Sequence, residues 1–101
     1  MAGLEVEILD VAKADFREAV QWYRDNTSQK TARKFAASFA KALDQIGLFP
    51  KGSPVFRGSV RRIGLRGFRH WLYYAEVGGR VQVVAVYHSK TDPSTYSGRI
   101  Q

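Results

Sequence analysis

Polar and apolar residues alternate from Leu4 to Leu9, with Glu5 and Glu7 set between Leu4, Val6 and Ile8, and this period of two predicts a half-buried strand. Asp10 can cap a helix. Ala12, Phe16, Ala19, Val20 and Tyr23 recur at spacings of three and four, which predicts an amphipathic helix over 11–25, closed by Asp25-Asn26-Thr27. Ser28 is placed to cap a second helix. Its Ala32, Phe35, Ala36, Phe39, Leu43 and Ile46 form one apolar stripe, and Lys30, Arg33, Lys34 and Lys41 lie outside it. That helix should end near 47–49. Pro50, Gly52 and Pro54 make 50–58 a loop, because proline removes a backbone donor and glycine loosens the chain.

From Val60 onward the period returns to two, and β-branched and aromatic residues predict three strands at Val60–Leu65, Phe68–Val77 and Arg80–His88. Gly67 marks the first turn. Gly78-Gly79 marks the second, since a two-residue hairpin turn needs the positive φ that glycine adopts without strain. With those two glycines as the loop and no bulge, Val77 falls opposite Arg80, Trp71 opposite Val86 and Arg69 opposite His88. One face then carries Arg69, Trp71, Tyr73, Val84, Val86 and His88. The other carries His70, Leu72, Tyr74, Val81, Val83, Ala85 and Tyr87. A sheet apolar on both faces needs two covers, and a helical pair supplies one. The tail from Thr91 to Gln101 reads as too short and polar to be the other, so a partner protein is expected to complete it. The order of elements, β-α-α-β-β-β, gives an α+β fold: a helical hairpin on a small, mainly antiparallel sheet.

A chain of 101 residues is one domain, 1–101, which buries roughly 60–70% of its unfolded surface around a single core. With 45% hydrophobic and 25% charged residues it has the composition of an ordinary globule. The net charge of +7 is unevenly held. Residues 1–50 carry 7 Lys/Arg against 7 Asp/Glu, and residues 51–101 carry 9 against 2. Clustered cations attract polyanions, so an anionic partner is expected. Cysteine is absent, which removes disulfides and thiolate metal sites and leaves a cytoplasmic location as the default. Nothing resembles a signal peptide or a bilayer-spanning run, so no membrane role is expected.

The cations gather around the loop and the second strand: Lys51, Arg57, Arg61, Arg62, Arg66 and Arg69, with Phe56 and Phe68 between them. Arginine binds phosphate or carboxylate bidentately, so such a row suits nucleic acid or an acidic protein; a solvated edge strand protected by charge is the plainer reading. Alternation puts Arg62, Gly64 and Arg66 on one face and Arg61 on the other, and Gly64 either leaves room for a shallow groove or marks a bulge. His88 ends the last strand beside Tyr87, Ser89 and Lys90, where it serves either structure or acid–base chemistry. His70 and His88 fall on opposite faces of the hairpin, so no shared metal site is expected. Phosphate-loop and dinucleotide-binding glycine motifs are absent, and no cofactor is expected.

Phe49-Pro50 after two helices, then Arg62-Ile63-Gly64-Leu65-Arg66-Gly67-Phe68-Arg69, Tyr73-Tyr74, Val84-Ala85-Val86-Tyr87-His88 and Asp92-Pro93, resemble in order and spacing the RelE/ParE toxin superfamily. The similarity is strongest to the ParE-like, or plasmid stabilisation, branch and covers nearly the whole chain. It implies a bacterial toxin of a type II toxin–antitoxin module, held in a hetero-oligomer by a cognate acidic antitoxin. ParE-like members poison DNA gyrase without catalysis. RelE-like members are enzymes that cleave mRNA on the ribosome, and a third possibility is a non-toxic member that keeps antitoxin binding. For a nuclease, the resemblance points to Arg66 or Arg69 as the phosphate stabiliser and His88 as the acid, with Tyr96 as a counterpart of a further tyrosine. Arg57, Arg61, Arg62, Arg66, Trp71, Tyr73, Tyr87 and Lys90 are the expected target- or antitoxin-binding residues.

Overall fold

The computed structural model describes residues 3–92 and 99–100. Seven elements follow one another: β1 (Val6–Ile8), α1 (Asp10–Asn26), α2 (Gln29–Leu48), β2 (Val55–Arg57), β3 (Val60–Gly64), β4 (His70–Val77) and β5 (Arg80–His88). They build a five-stranded sheet in the order β1-β5-β4-β3-β2. Only β1 runs parallel to its neighbour, and the other pairs are antiparallel. Pro93 and Tyr96, which bear on the family resemblance, lie outside the described residues.

The helices form where their periodicity places them. Ser28 caps α2 through its Oγ, which accepts from the Thr31 N–H at 3.0 Å. Asp10 is the first residue of α1 rather than its cap; Leu9 holds the cap position and makes no side-chain bond there. Both helices press their stripes on one sheet face, where Phe35, Phe39, Ala42 and Ile46 of α2 and Ala12 and Ala19 of α1 meet Leu72, Tyr74, Val81, Val83 and Val86. At the hairpin tip Gly78 and Gly79 have φ of 59° and 80°, the left-handed values that the two-residue turn requires.

The loop expected at 50–58 contains a strand. Residues Val55–Arg57 pair with β3 as an irregular edge, and the prolines and glycines flank them without interrupting the pairing. Tyr74 Oη donates to the Pro50 carbonyl at 2.9 Å, and Arg61 Nη1 donates to the Ser53 carbonyl at 2.6 Å. These bonds hold the loop against the sheet.

The main correction concerns the hairpin register. From Val77↔Arg80 to Tyr74↔Val83 the pairing is as expected, but it then shifts: Tyr73 faces Ala85, Leu72 faces Val86, Trp71 faces Tyr87 and His70 faces His88. Val84 is the extra residue of a bulge, which reverses the facing of everything after it. Val86 and His88 turn to the helical side, and Ala85 and Tyr87 turn away. The bulge begins where β1 ends: Ile8 pairs with Val83, and among the described residues no strand continues alongside β5. Side chains take over the exposed edge. Asp15 of α1 accepts from the Val86 N–H at 3.0 Å, Arg99 donates to the Val84 carbonyl at 3.3 Å, and Arg99 Nη1 meets Asp15 Oδ2 at 2.6 Å.

The far sheet face has a cover of its own. Ile100 is 1% exposed and joins Val60, Tyr73, Ala75, Ala85 and Tyr87 in a second cluster, with Phe56, Trp71 and Val84 packed around it. The tail is therefore not too polar to help, since its Ile100, next to the Asp15-bound Arg99, packs into the centre of that face. Asp15→Ala should cost about 2–3 kcal/mol of unfolding free energy, because it leaves the Val86 N–H without a partner and a partly buried guanidinium without its carboxylate. Arg99→Ala, which leaves the Asp15–Val86 bond in place, should cost less. Urea unfolding of the two variants checks the ranking, and an Arg99 variant that loses more would contradict it.

Candidate functional site

Two surfaces gather the residues of interest, one on each side of the sheet. On the helical side a cleft of about 530 Å³ opens between α1 and the end of β5, lined among others by Glu18, Trp22, Tyr23, His70, His88 and Arg99. The bulge brings the histidines together there. Their ring centroids lie 5.0 Å apart, edge to face, although strict alternation would separate them. Tyr23 Oη sits 3.3 Å from His70 Nδ1, and the His70 ring also packs edge to face on Phe35. The Lys90 N–H donates to His88 Nδ1 at 3.0 Å, which sets the proton of a neutral His88 on Nε2. Among the described residues, no group of three or more His, Cys, Asp or Glu comes together in a way that could hold a metal ion.

His70 is 9% exposed, and its pKa is lowered to about 4, first by burial and then by the charge of His88. Burial also raises the Tyr23 phenol above its ordinary value. The neutral imidazole is thus the form that the fold stabilises. An unfolded histidine titrates near 6.5, so the unfolded chain binds this proton first and stability falls as pH drops from that value toward 4. The loss when complete is on the order of 3 kcal/mol. Urea midpoints taken across this range should show it, and His70→Phe should flatten the decline; an unchanged slope in that variant would contradict the assignment.

Of the residues expected to serve a nuclease, Arg66 and Arg69 occupy the connection between β3 and β4, and both are exposed. The Arg66 carbonyl is tied to α2 by the Ser38 hydroxyl at 2.9 Å, whereas the Arg69 carbonyl accepts from Ser89 N–H at 2.7 Å, next to His88. Arg69 and His88 therefore share one end of the sheet, and Arg66 is anchored toward the helices.

On the far side, Arg62 projects from β3 between rings of the strands on either side. Its Cζ lies 4.1 Å from the Trp71 ring centre and 4.8 Å from that of Phe56. Arg57 Cζ stands 5.4 Å from the same Phe56 ring. Gly64 pairs with Trp71, and a Cβ there would meet the indole at 3.6 Å, so the space expected to form a groove is occupied by Trp71. Tyr73 and Tyr87 are buried, 0% and 7% exposed, and make the floor of this face rather than its surface. Arg61 points to the helical side, where backbone carbonyls of the 50–54 loop take its guanidinium. Lys90 is exposed beyond the end of β5. Elsewhere in the basic half, Arg80 pairs with Glu7 at 3.5 Å across the β1–β5 edge, and Arg99 with Asp15.

Two features have no signature in the sequence. Asp15 and Arg99 are 84 residues apart and Tyr23 and His70 are 47 apart, so no local spacing announces either pair. Trp22, 55% exposed on α1 at the mouth of the cleft, breaks the helix's polar outer face and is the one visible sign of a surface there.

Two helices packed on one face of a five-stranded mixed sheet define an α+β domain. The model of the ParE toxin of the type II toxin–antitoxin system parDE matches residues 6–93, and the chain belongs to that family. Among solved structures, the chromosomal ParDE toxin–antitoxin system from P. aeruginosa shares the fold with a TM-score of 0.75 at 15% identity, covering 84% of this chain and 95% of that one. No curated protein matches the sequence.

Proposed function

We propose that this protein is the toxin of a type II toxin–antitoxin module, that it acts by poisoning DNA gyrase, and that an acidic cognate antitoxin neutralises it. The observation that carries the reading is the ParE toxin match over residues 6–93. The geometry of the sheet end supports it. A ribonuclease needs a base, an acid and phosphate-stabilising cations converging on one scissile bond. Here His70 is buried against Phe35 and Tyr23, and Arg66 is anchored toward the helices, away from the sheet end that Arg69 and His88 share. A poison that acts by binding needs an exposed, charged surface instead, and the basic half provides one.

Purified protein added to gyrase, ATP and supercoiled plasmid should accumulate cleaved DNA and inhibit supercoiling. Unchanged supercoiling, with mRNA cut at codons in a translating extract, would instead establish RelE-type activity. In that case Arg69→Ala and His88→Ala should abolish cutting. Growth arrest on induction in a host without antitoxin separates both readings from a non-toxic member.

A further inference from the structure

We propose that Arg62 is a carboxylate-reading point on the far sheet face, and that its occupant is an acidic, partly apolar segment of a protein partner. If the protein is the toxin of a toxin–antitoxin module, on which this proposal rests, that partner is the antitoxin. Arg62 is half-buried, and its neighbours on both sides are rings, Trp71 of β4 and Phe56 of β2. Each ring takes a side of the guanidinium and holds it by cation–π attraction, so the stem is ordered before any partner arrives. No hydrogen bond or ion pair among the described residues uses its guanidinium N–H groups. A guanidinium fixed in this way presents its planar fork, which matches an oxyanion bidentately.

The surroundings decide between oxyanions. Single-stranded nucleic acid binds by stacking bases on open aromatic faces. Next to Arg62, those faces of Trp71 and Phe56 already hold a guanidinium, and Arg57 lies against Phe56 as well. Among the described residues, what remains around the fork is apolar sheet, with Trp71 and Val84 each partly exposed at the edge of the second cluster. A carboxylate flanked by apolar side chains complements that mixture of charge and hydrocarbon. Arg61, adjacent in sequence, is excluded from this role because loop carbonyls on the opposite face hold it.

The test is selection from a random peptide library on the immobilised protein. The enriched peptides, and separately oligothymidylate, are then titrated with Trp71 as reporter in a Trp22→Phe background. Enriched peptides should carry Asp or Glu among apolar residues. Arg62→Lys, which keeps the charge but loses the planar fork, should weaken their binding roughly tenfold, and exchanging the peptide carboxylates for amides should weaken it as much. Thermal melting of Arg62→Lys and Arg62→Ala separates lost binding from a lost fold. Selected peptides without carboxylates, equal binding by Arg62→Lys and the parent protein, or Arg62-dependent binding of oligothymidylate alone would each overturn the proposal. The gyrase assay reads a different event, so either conclusion can fail without the other.

Discussion

The organisation of this domain turns on one extra residue. Where β1 ends, β5 has no further strand beside it among the described residues, and an open strand edge is a liability because unpaired N–H and C=O groups recruit other strands. Val84 bulges there, and the two backbone groups exposed beside it are taken by Asp15 and Arg99, which bond each other as well. The arrangement joins helix α1, the sheet and the end of the chain at a single point. It also lets Ile100 reach the far face, because Arg99 is fixed immediately before it. Burial and its bond to Asp15 act in opposite senses on Arg99, and the bond dominates, leaving the guanidinium pKa raised.

The bulge also divides the molecule's chemistry. By reversing the facing of β5, it sends His88 to the helical side to meet His70 and Tyr23, and sends Tyr87 to the far side to meet Tyr73 at 5.6 Å. The helical side thereby gains a cleft whose buried imidazole is kept neutral. The far side gains an aromatic floor beneath the Arg62 stack. With a straight hairpin, Tyr87 would fall among the helices and His88 under the arginines. One sheet thus carries two chemically distinct surfaces, and each rests on side chains that the bulge has aimed.

Much of this was legible in the residues. Spacings of three and four placed both helices within a residue or two, Ser28 announced its cap, and Gly78-Gly79 fixed the hairpin tip and the limits of β5. The order of elements and the Arg62–Arg69 run pointed to the superfamily. The register beyond Tyr74 was not legible, for a physical reason. Val83, Val84, Ala85, Val86 and Tyr87 are all apolar, and both sheet faces are buried, so alternation carries no information about which residue is extra. The strand β2 was hidden because proline and glycine at its ends outweigh a three-residue pairing. The contribution of Ile100 was hidden because one apolar side chain in a polar tail forms no pattern. Arginine spacing, too, could not tell Arg61, which serves the loop, from Arg62, which is held at the surface.

The claim on which the rest depends is that His88 pairs with His70, and not with Arg69, at the start of β4. Nuclear Overhauser contacts between assigned side chains measure it directly. The bulged register gives strong contacts between the ring protons of His70 and His88, and between those of Tyr73 and Tyr87, whose centroids are 5.0 and 5.6 Å apart. Contacts from the His88 ring to Trp71 and Arg69, with Tyr87 seen against Leu72 and the helices, would show a straight hairpin and contradict the account.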